Sequence, residues 1–475
     1  MLGLFGTLNL AGQSLQTQMT GVEVTGQNLA NVDTAGYTRQ TVDIQTSPDI
    51  MTTVGPEGTG SEVASIQQAV DTLLNGQIQG QQSVNGYWSA QQSSLQSVQD
   101  SLDEFLSSTS SSSSSDDSTT SSGLSTQLNN FFNDLKNVST SPTSIAARQT
   151  LISDAQNLAS AFNQINSQLD QENTSLNSSL SNDVDSANKL LSGIATLNQQ
   201  ISAADSGGGN ANDLMDERQQ DLNNLAQLTD ITTSNGTNGT VNVSISGETF
   251  VSGTQVVDTL QTFDPGNGNL LVGSPGTGGT APLALTGGSM QGTIDARDGT
   301  LATLQSSVNT LASSLITQVN SIYSTGYSLT GATGSNFFNG SDAGTISVNS
   351  SLESDPSSFQ ASGSATASGD NTVVLELAEL ADTPQSNLDN ETFSGSYDET
   401  VGNFGDALQT ANTQVSNQTA VMNMLTTQQS SISGVSVDQE MTHLLGFQQA
   451  YEASAELVTT VNQMLGDTLA MKSAS

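Results

Sequence analysis

The two ends of the chain carry matching heptad stripes, and this constrains the fold more than any other feature. At the N-terminal end Phe5, Leu8, Gly12, Leu15, Met19, Val22, Gly26 and Leu29 alternate spacings of three and four, the pattern of one amphipathic helix. At the C-terminal end Val437, Leu444, Tyr451, Val458 and Leu465 recur every seven residues, and Met441, Phe447, Val461 and Leu469 widen the stripe. Ser436 and Gln439 open this second helix as a capping box. Such helices are marginal alone in water, and Gly12 and Gly26 each cost the first about 0.5–1 kcal/mol relative to Ala. Each fully buried Leu or Val returns roughly 1.5–3 kcal/mol. The ends are therefore expected to pair with each other as a coiled coil and to become ordered on assembly.

Between them the periodicity predicts a mainly α chain with an inserted β segment. The expected layout is a terminal coiled-coil domain (1–48 and 430–475), a discontinuous long-helix bundle (49–229 and 289–429) and a small β domain (230–288) inserted mid-chain. Residues 80–106 have helical spacing, with the lone Trp88 in the core. The Ser-rich run 107–122 is too poor in apolar residues to fold and reads as a disordered loop. A long helix is expected from Ser141 as N-cap and Pro142 at N1, with Ile152, Phe162, Ile165, Leu169, Leu176, Leu180, Ala187, Leu191, Ile194 and Ile201 along one face. "GGGN" at 207–210 breaks it, and helix resumes to about Leu228. "TVNVSISGETFVSGTQVV" then alternates with the period of a strand. Helix returns after Gly288, a mixed segment with short strands such as "TISVN" covers 327–400, and a last helical block begins near Val401, with Gly466 interrupting its final turns.

Composition narrows the function. The chain has 46 acidic and 7 basic residues, a formal net charge of -39, which repels phosphate backbones and anionic lipid headgroups. Neither nucleic acid nor membrane is an expected partner, and no apolar run approaches the ~20 residues of a bilayer span. There is no cysteine, which excludes disulfides and thiol chemistry. No Lys or Arg precedes Arg39, so the basic segment of a cleaved signal peptide is missing.

A search for catalysis finds little. His443 is the only histidine and lies on the last helix; Ser186 and Lys189 form a Ser-x-x-Lys without its partner motifs. Asp213, Asp216 and Glu217 sit one helical turn apart beside Arg218 and read as helix electrostatics. The remaining enzymatic alternative is an acidic extracellular hydrolase using Glu248, Asp258 and Asp264 of the β segment. No catalytic, metal or cofactor residue is assigned.

A different signal sits where the first stripe stops. In "NLANVDTAGYTRQ", Asn28, Asn31, Thr34, Gly36, Tyr37, Arg39 and Gln40 resemble the N-terminal signature of the flagellar axial proteins, with the Gln after Arg resembling the hook-associated branch. "FFNDLKNVSTSPTSIAARQTLISDAQNLASAFNQI", "ANDLMDERQQDLNNL", "LTGGSMQGTIDARD", "ISVNSSLESDP" and "EMTHLLGFQQAYEASAELVTTVNQML" are similar in residues and order to the hook-associated protein 1 family, the first of the hook-filament junction families. The third hook-associated protein and flagellin are the alternatives within the class.

The resemblance implies a structural, non-enzymatic subunit without cofactor. It implies a homo-oligomeric ring between hook protein and the second junction protein, hook-associated protein 3, outside the cell. It also implies type III export without a cleaved signal, with an export chaperone at the C-terminal helix. The assembly interface it implies comprises Phe5, Leu8, Leu15, Met19, Val22 and Leu29, the seven signature residues, and Val437, Leu444, Phe447, Tyr451, Val458, Val461 and Leu465. Tyr37 would pack on a neighbour and Arg39 would donate across subunits, while Gly36 gives the turn its backbone freedom. Glu456 stands where the family commonly has a basic residue, and the Ser-rich run is longer than the family leads one to expect.

Overall fold

The computed structural model describes residues 3–52, 55–106, 123–207, 209 and 211–473. The Ser-rich run expected to be disordered lies outside these residues. Helix α1 (Leu4–Ala30) leads through a turn into a hairpin of β1 (Gln40–Thr46) and β4 (Ser61–Gln68), extended by β2 (Ile50–Thr52) and β3 (Gly55–Glu57). Helices α2 (Thr72–Leu106), α3 (Leu124–Thr140), α4 (Ile145–Ser206) and α5 (Asn212–Leu228) follow. Strands β5 (Ile231–Asn235), β6 (Val241–Ile245), β7 (Glu248–Ser252) and β8 (Gln255–Val256) form an antiparallel sheet in chain order, beside a hairpin of β9 (Gln261–Phe263) and β10 (Leu271–Gly273).

The chain returns through α6 (Gly288–Asp295), a π-helical turn (Ala296–Leu301) and α7 (Ala302–Tyr323). A small module of β11 (Phe338–Asn339), β12 (Ser347–Val348), α8 (Ser350–Ser354) and α9 (Thr372–Glu379) precedes the two closing helices, α10 (Phe393–Ser433) and α11 (Val437–Ser473). Among the described residues no helix is long and apolar enough to cross a membrane.

Helix α4, with 62 residues, is about 93 Å long at 1.5 Å per residue and serves two cores. Its first half, from Leu151 to Leu176, packs with α2, α3, α7, α9 and α10 around Phe131, Phe337 and Phe359. From Leu180 onward the same stripe faces α5, α6 and the inner side of the sheet, with Val243, Phe250 and Val251. All ten residues expected on its apolar face are buried. A third, smaller cluster joins Leu74 and Ile78 at the start of α2 to Leu425 near the end of α10.

Some local expectations need correction. Ser141 caps the C-terminus of α3, and α4 begins after Ser144, whose side chain accepts from Ala147 N. This later start lets the buried Arg148 reach back to Pro142 O at 2.8 Å and across to Phe359 O at 2.6 Å. Helix α10 starts eight residues ahead of Val401, where Thr392 accepts from Gly395 N. Gly466 does not interrupt α11, which continues to Ser473. The hairpin at 40–68 carries strands where none was expected.

Candidate assembly interface: the terminal helix pair and its hub

Helices α1 and α11 pair antiparallel, in a seven-residue register. Ser14 Oγ meets Ser454 Oγ at 2.9 Å, Gly21 faces the Phe447 ring, and Asn28 Nδ2 donates to Glu440 Oε2 at 3.1 Å. Each step is seven residues up α1 and seven down α11, the coiled-coil repeat. The expected partnership thus holds, but α1 enters it by another face. Its buried residues are Ala11, Thr17, Gly21, Val24, Thr25 and Asn28, all but Val24 small or polar, and Gly21 lets the helices approach closely.

The expected apolar stripe lies one residue on, about 100° round the helix. Phe5 and Met19 are 76% and 54% exposed, and Leu8, Leu15, Val22 and Leu29 are half-buried. On α11, Val461 is buried and Leu444, Phe447, Val458 and Leu465 are half-buried, whereas Val437 and Tyr451 are exposed. The hairpin lies along α1, with Thr17 Oγ1 donating to Ser61 O at 3.0 Å.

At the end of α1 the signature residues form a hydrogen-bonded hub. Asn28 Oδ1 accepts from Tyr37 OH (2.8 Å) and Gln40 N (2.9 Å), and its Nδ2 also donates to Gln40 O (2.8 Å). One amide thereby holds both backbone groups of residue 40 and a residue of α11. Asn31 and Thr34 shape the turn, Thr34 Oγ1 donating to Asn31 Oδ1 at 3.1 Å. Gly36 has φ +82°, the left-handed conformation that glycine adopts without strain.

The hub's other wall is α5. Thr38 donates to Asp216 from N (2.9 Å) and Oγ1 (2.6 Å), Gln68 Nε2 donates to Asp216 Oδ1 (2.8 Å), and Gln40 Nε2 donates to Asp213 Oδ1 (2.8 Å). Burial raises the Asp216 pKa, although the Thr38 and Gln68 hydrogen bonds pull the other way. Tyr37 is pushed up to about 12, by burial first and then by Asp213, Asp216 and Glu440. Arg39 N donates to Ser433 O at 2.8 Å and its guanidinium reaches Gln439 Oε1 at 3.3 Å, while its Nε has no hydrogen-bond partner.

Beneath the turn a cleft of about 670 Å³ opens between residues 31–38, α5 and the facing ends of α2 and α10. The cation beside it, Arg218, is spent on Asn198 Oδ1 (2.9 Å) and Gly239 O (2.6 Å); burial draws its pKa to about 10. Asp213 and Asp216 therefore answer Gln40, Thr38 and Gln68, not Arg218, which corrects their reading as helix electrostatics. Their partners lie more than 140 residues away in sequence, so local spacing held no sign of them. A signal for the seam did exist: Ser14, Gly21 and Asn28 themselves recur every seven residues.

The residues weighed for catalysis have local roles. Ser186 Oγ donates to Asn182 O at 2.8 Å. Asp264 gathers the N–H groups of Gly266, Asn267 and Gly268, and the bonds to Gly266 and Gly268 hold its carboxyl below the usual range. Asp258 accepts from Thr259 N and Gly276 N.

The comparisons with known proteins follow the same outline. Residues 427–471, which end α10 and form most of α11, match the C-terminal domain model of the flagellar basal body rod FlgEFG proteins. Residues 116–338 match the helical domain model of flagellar hook-associated protein FlgK. Flagellar hook-associated protein 1 of Bacillus subtilis is 28% identical, over 98% of this chain and 98% of its own length. That of Escherichia coli is 24% identical, over 96% and 97%. The solved flagellar hook junction protein FlgK from Burkholderia pseudomallei shares the fold, with a TM-score of 0.64 and 18% identity over 75% of this chain and all of that one. Over nearly its whole length the chain is thus similar to flagellar hook-associated protein 1, and the matched domain and relatives support a structural role in the flagellum.

Proposed function

We propose that this chain is the subunit that joins hook to filament, a homo-oligomeric ring outside the cell seated on hook protein and followed by hook-associated protein 3. One observation carries the reading: the terminal pair closes through a small, polar seam and leaves Phe5 and Met19 on α1, and Met441, Leu445, Met464 and Leu469 on α11, exposed to neighbours. In this reading the ends (1–48 and 430–475) line an inner tube, the helical body (49–229 and 289–429) forms the wall, and the β segment (230–288) projects outward. The chain travels unfolded through the type III export route, with a chaperone on the C-terminal helix, and orders its ends on assembly. Arg39, whose guanidinium comes to the surface beside Gln439, donates to a neighbouring copy. The role is structural and needs no cofactor, nucleic acid or membrane.

Deleting the gene, imaging the cells by electron microscopy and assaying flagellin in the medium tests this. Bare hooks with shed flagellin, restored by this chain, support the junction role. Normal filaments would sink it.

A further inference from the structure

The net charge of -39 raises the question of what offsets it when copies meet. Three of the four arginines are unavailable. Arg148 is buried against the Pro142 and Phe359 carbonyls, Arg218 against Asn198 and the Gly239 carbonyl, and Arg297 against Asn177, the Leu270 carbonyl and its own neighbour Asp298. Lys136 lies 3.7 Å from Asp382 of the same chain. Among the described side chains Arg39 and Lys189 are left to face the acidic residues, 46 in the whole sequence. Nor do the carboxylates gather into a cation site: among the described residues no group of three or more His, Cys, Asp or Glu could hold a metal ion. The outward faces of the terminal helices instead set exposed apolar side chains, Phe5, Met19, Leu445 and Leu469 among them, beside exposed carboxylates such as Glu23, Glu452 and Glu456.

We propose that copies of this chain associate through the apolar side chains of the terminal helices, and only where salt screens the negative charge that they share. This rests on the assembly reading above. Salt-bridged interfaces weaken as salt rises; this one strengthens. At 0.01 M the screening length is about 30 Å, wider than a helix, and at 1 M it is about 3 Å, so repulsion then acts only at contact while the apolar attraction persists. The counter-charge is supplied by mobile monovalent cations, not by a built site.

The test is static light scattering on the full chain from 0.02 to 1 M NaCl, with circular dichroism confirming the fold at each step. The second virial coefficient is expected to start strongly positive, fall at least about fivefold and turn negative, with KCl acting as NaCl does. A variant carrying Asp185→Asn, Asp205→Asn, Glu399→Gln and Asp406→Asn, all exposed and outside the terminal helices, should start about a fifth lower, since repulsion scales with the square of charge. Attraction at low salt that disappears as salt rises would overturn the proposal, as would a coefficient that stays positive throughout. Attraction induced by 2 mM CaCl2 at constant ionic strength would overturn it in favour of a specific divalent site. None of these outcomes decides the junction role, which the gene deletion tests independently.

Discussion

Gly21 offers the sharpest test of how the terminal helices meet. A Cβ built there would lie 2.6 Å from Cδ1 and Cε1 of Phe447 and 2.8 Å from Cγ, against the roughly 3.5–4.0 Å of an ordinary carbon contact. The ring must therefore retreat by about 1 Å. Overpacking of this kind costs about 1–3 kcal/mol, and Ala returns about 0.8–1 kcal/mol of helix propensity. Gly21→Ala is thus expected to weaken the pair by up to about 2 kcal/mol. Gly26 is the control, because a Cβ there meets nothing within 4 Å: Gly26→Ala should strengthen the same helix by about 0.8–1 kcal/mol. Amide exchange across residues 4–30 and 437–473 of the full chain reads both, and adding Phe447→Leu to Gly21→Ala should restore part of the loss. If Gly21→Ala protects the helices as much as Gly26→Ala, the close approach is not what joins them.

Asn28→Ala removes an amide that serves Tyr37, Gln40 and Glu440 and leaves buried groups unpaired; a loss of about 2–3 kcal/mol is expected, seen as faster exchange at the end of α1 with the α4 core unaffected. Arg39→Ala should leave thermal stability within about 0.5 kcal/mol, because the backbone bond to Ser433 O remains, yet weaken association in the scattering assay; unchanged association would remove Arg39 from the interface. Mild acid should stabilise the chain. Burial raises the pKa of Asp183, Asp216 and Asp221 above the ordinary 3.8, so the folded state takes up protons before the unfolded state and stability rises as pH falls through their folded values. The lowered groups Asp264, Asp342, Asp355 and Asp370 reverse the trend once pH drops through 3.8 towards their folded values. A melting temperature that falls steadily from pH 7 to pH 4 would contradict this.

The long helices were legible in the sequence because their burial is periodic. Every residue expected on the apolar face of α4 is buried, since a helix between two cores keeps one stripe throughout. Burial that depends on closeness rather than hydrophobicity was not legible. Gly21 and Ser14 carry no apolar signal, so the stronger stripe beside them reads as the seam. The hairpin β1–β4 is hard to read because its register shifts, Val42 pairing with Ile66 and Ile44 with Val63, so Val63 and Ile66 of β4 lie three apart on strands that stay half-exposed and the period of two is lost. The hub illustrates the limit most clearly. Its signature half was recognisable as a motif, but its acceptors on α5 are brought to it only by the tertiary fold.

The seam on α1 also bears on when the ends fold. Apart from Val24 the buried face of α1 is Ala, Thr, Gly and Asn, which bury little apolar area, so at about 25 cal/mol per Å² this face contributes less than the neighbouring stripe of Leu, Met, Val and Phe would. A helix pair held by its weaker face, with a close approach at Gly21 and an amide hub at one end, is near the balance point between order and disorder. Covering Phe5, Leu8, Leu15 and Met19 by a neighbour would then supply the larger share of the ordering free energy. The division of faces makes the intramolecular contacts set register and the intermolecular contacts set stability. A chain built the other way, with its leucines in the seam, would hold its ends folded before it met a partner.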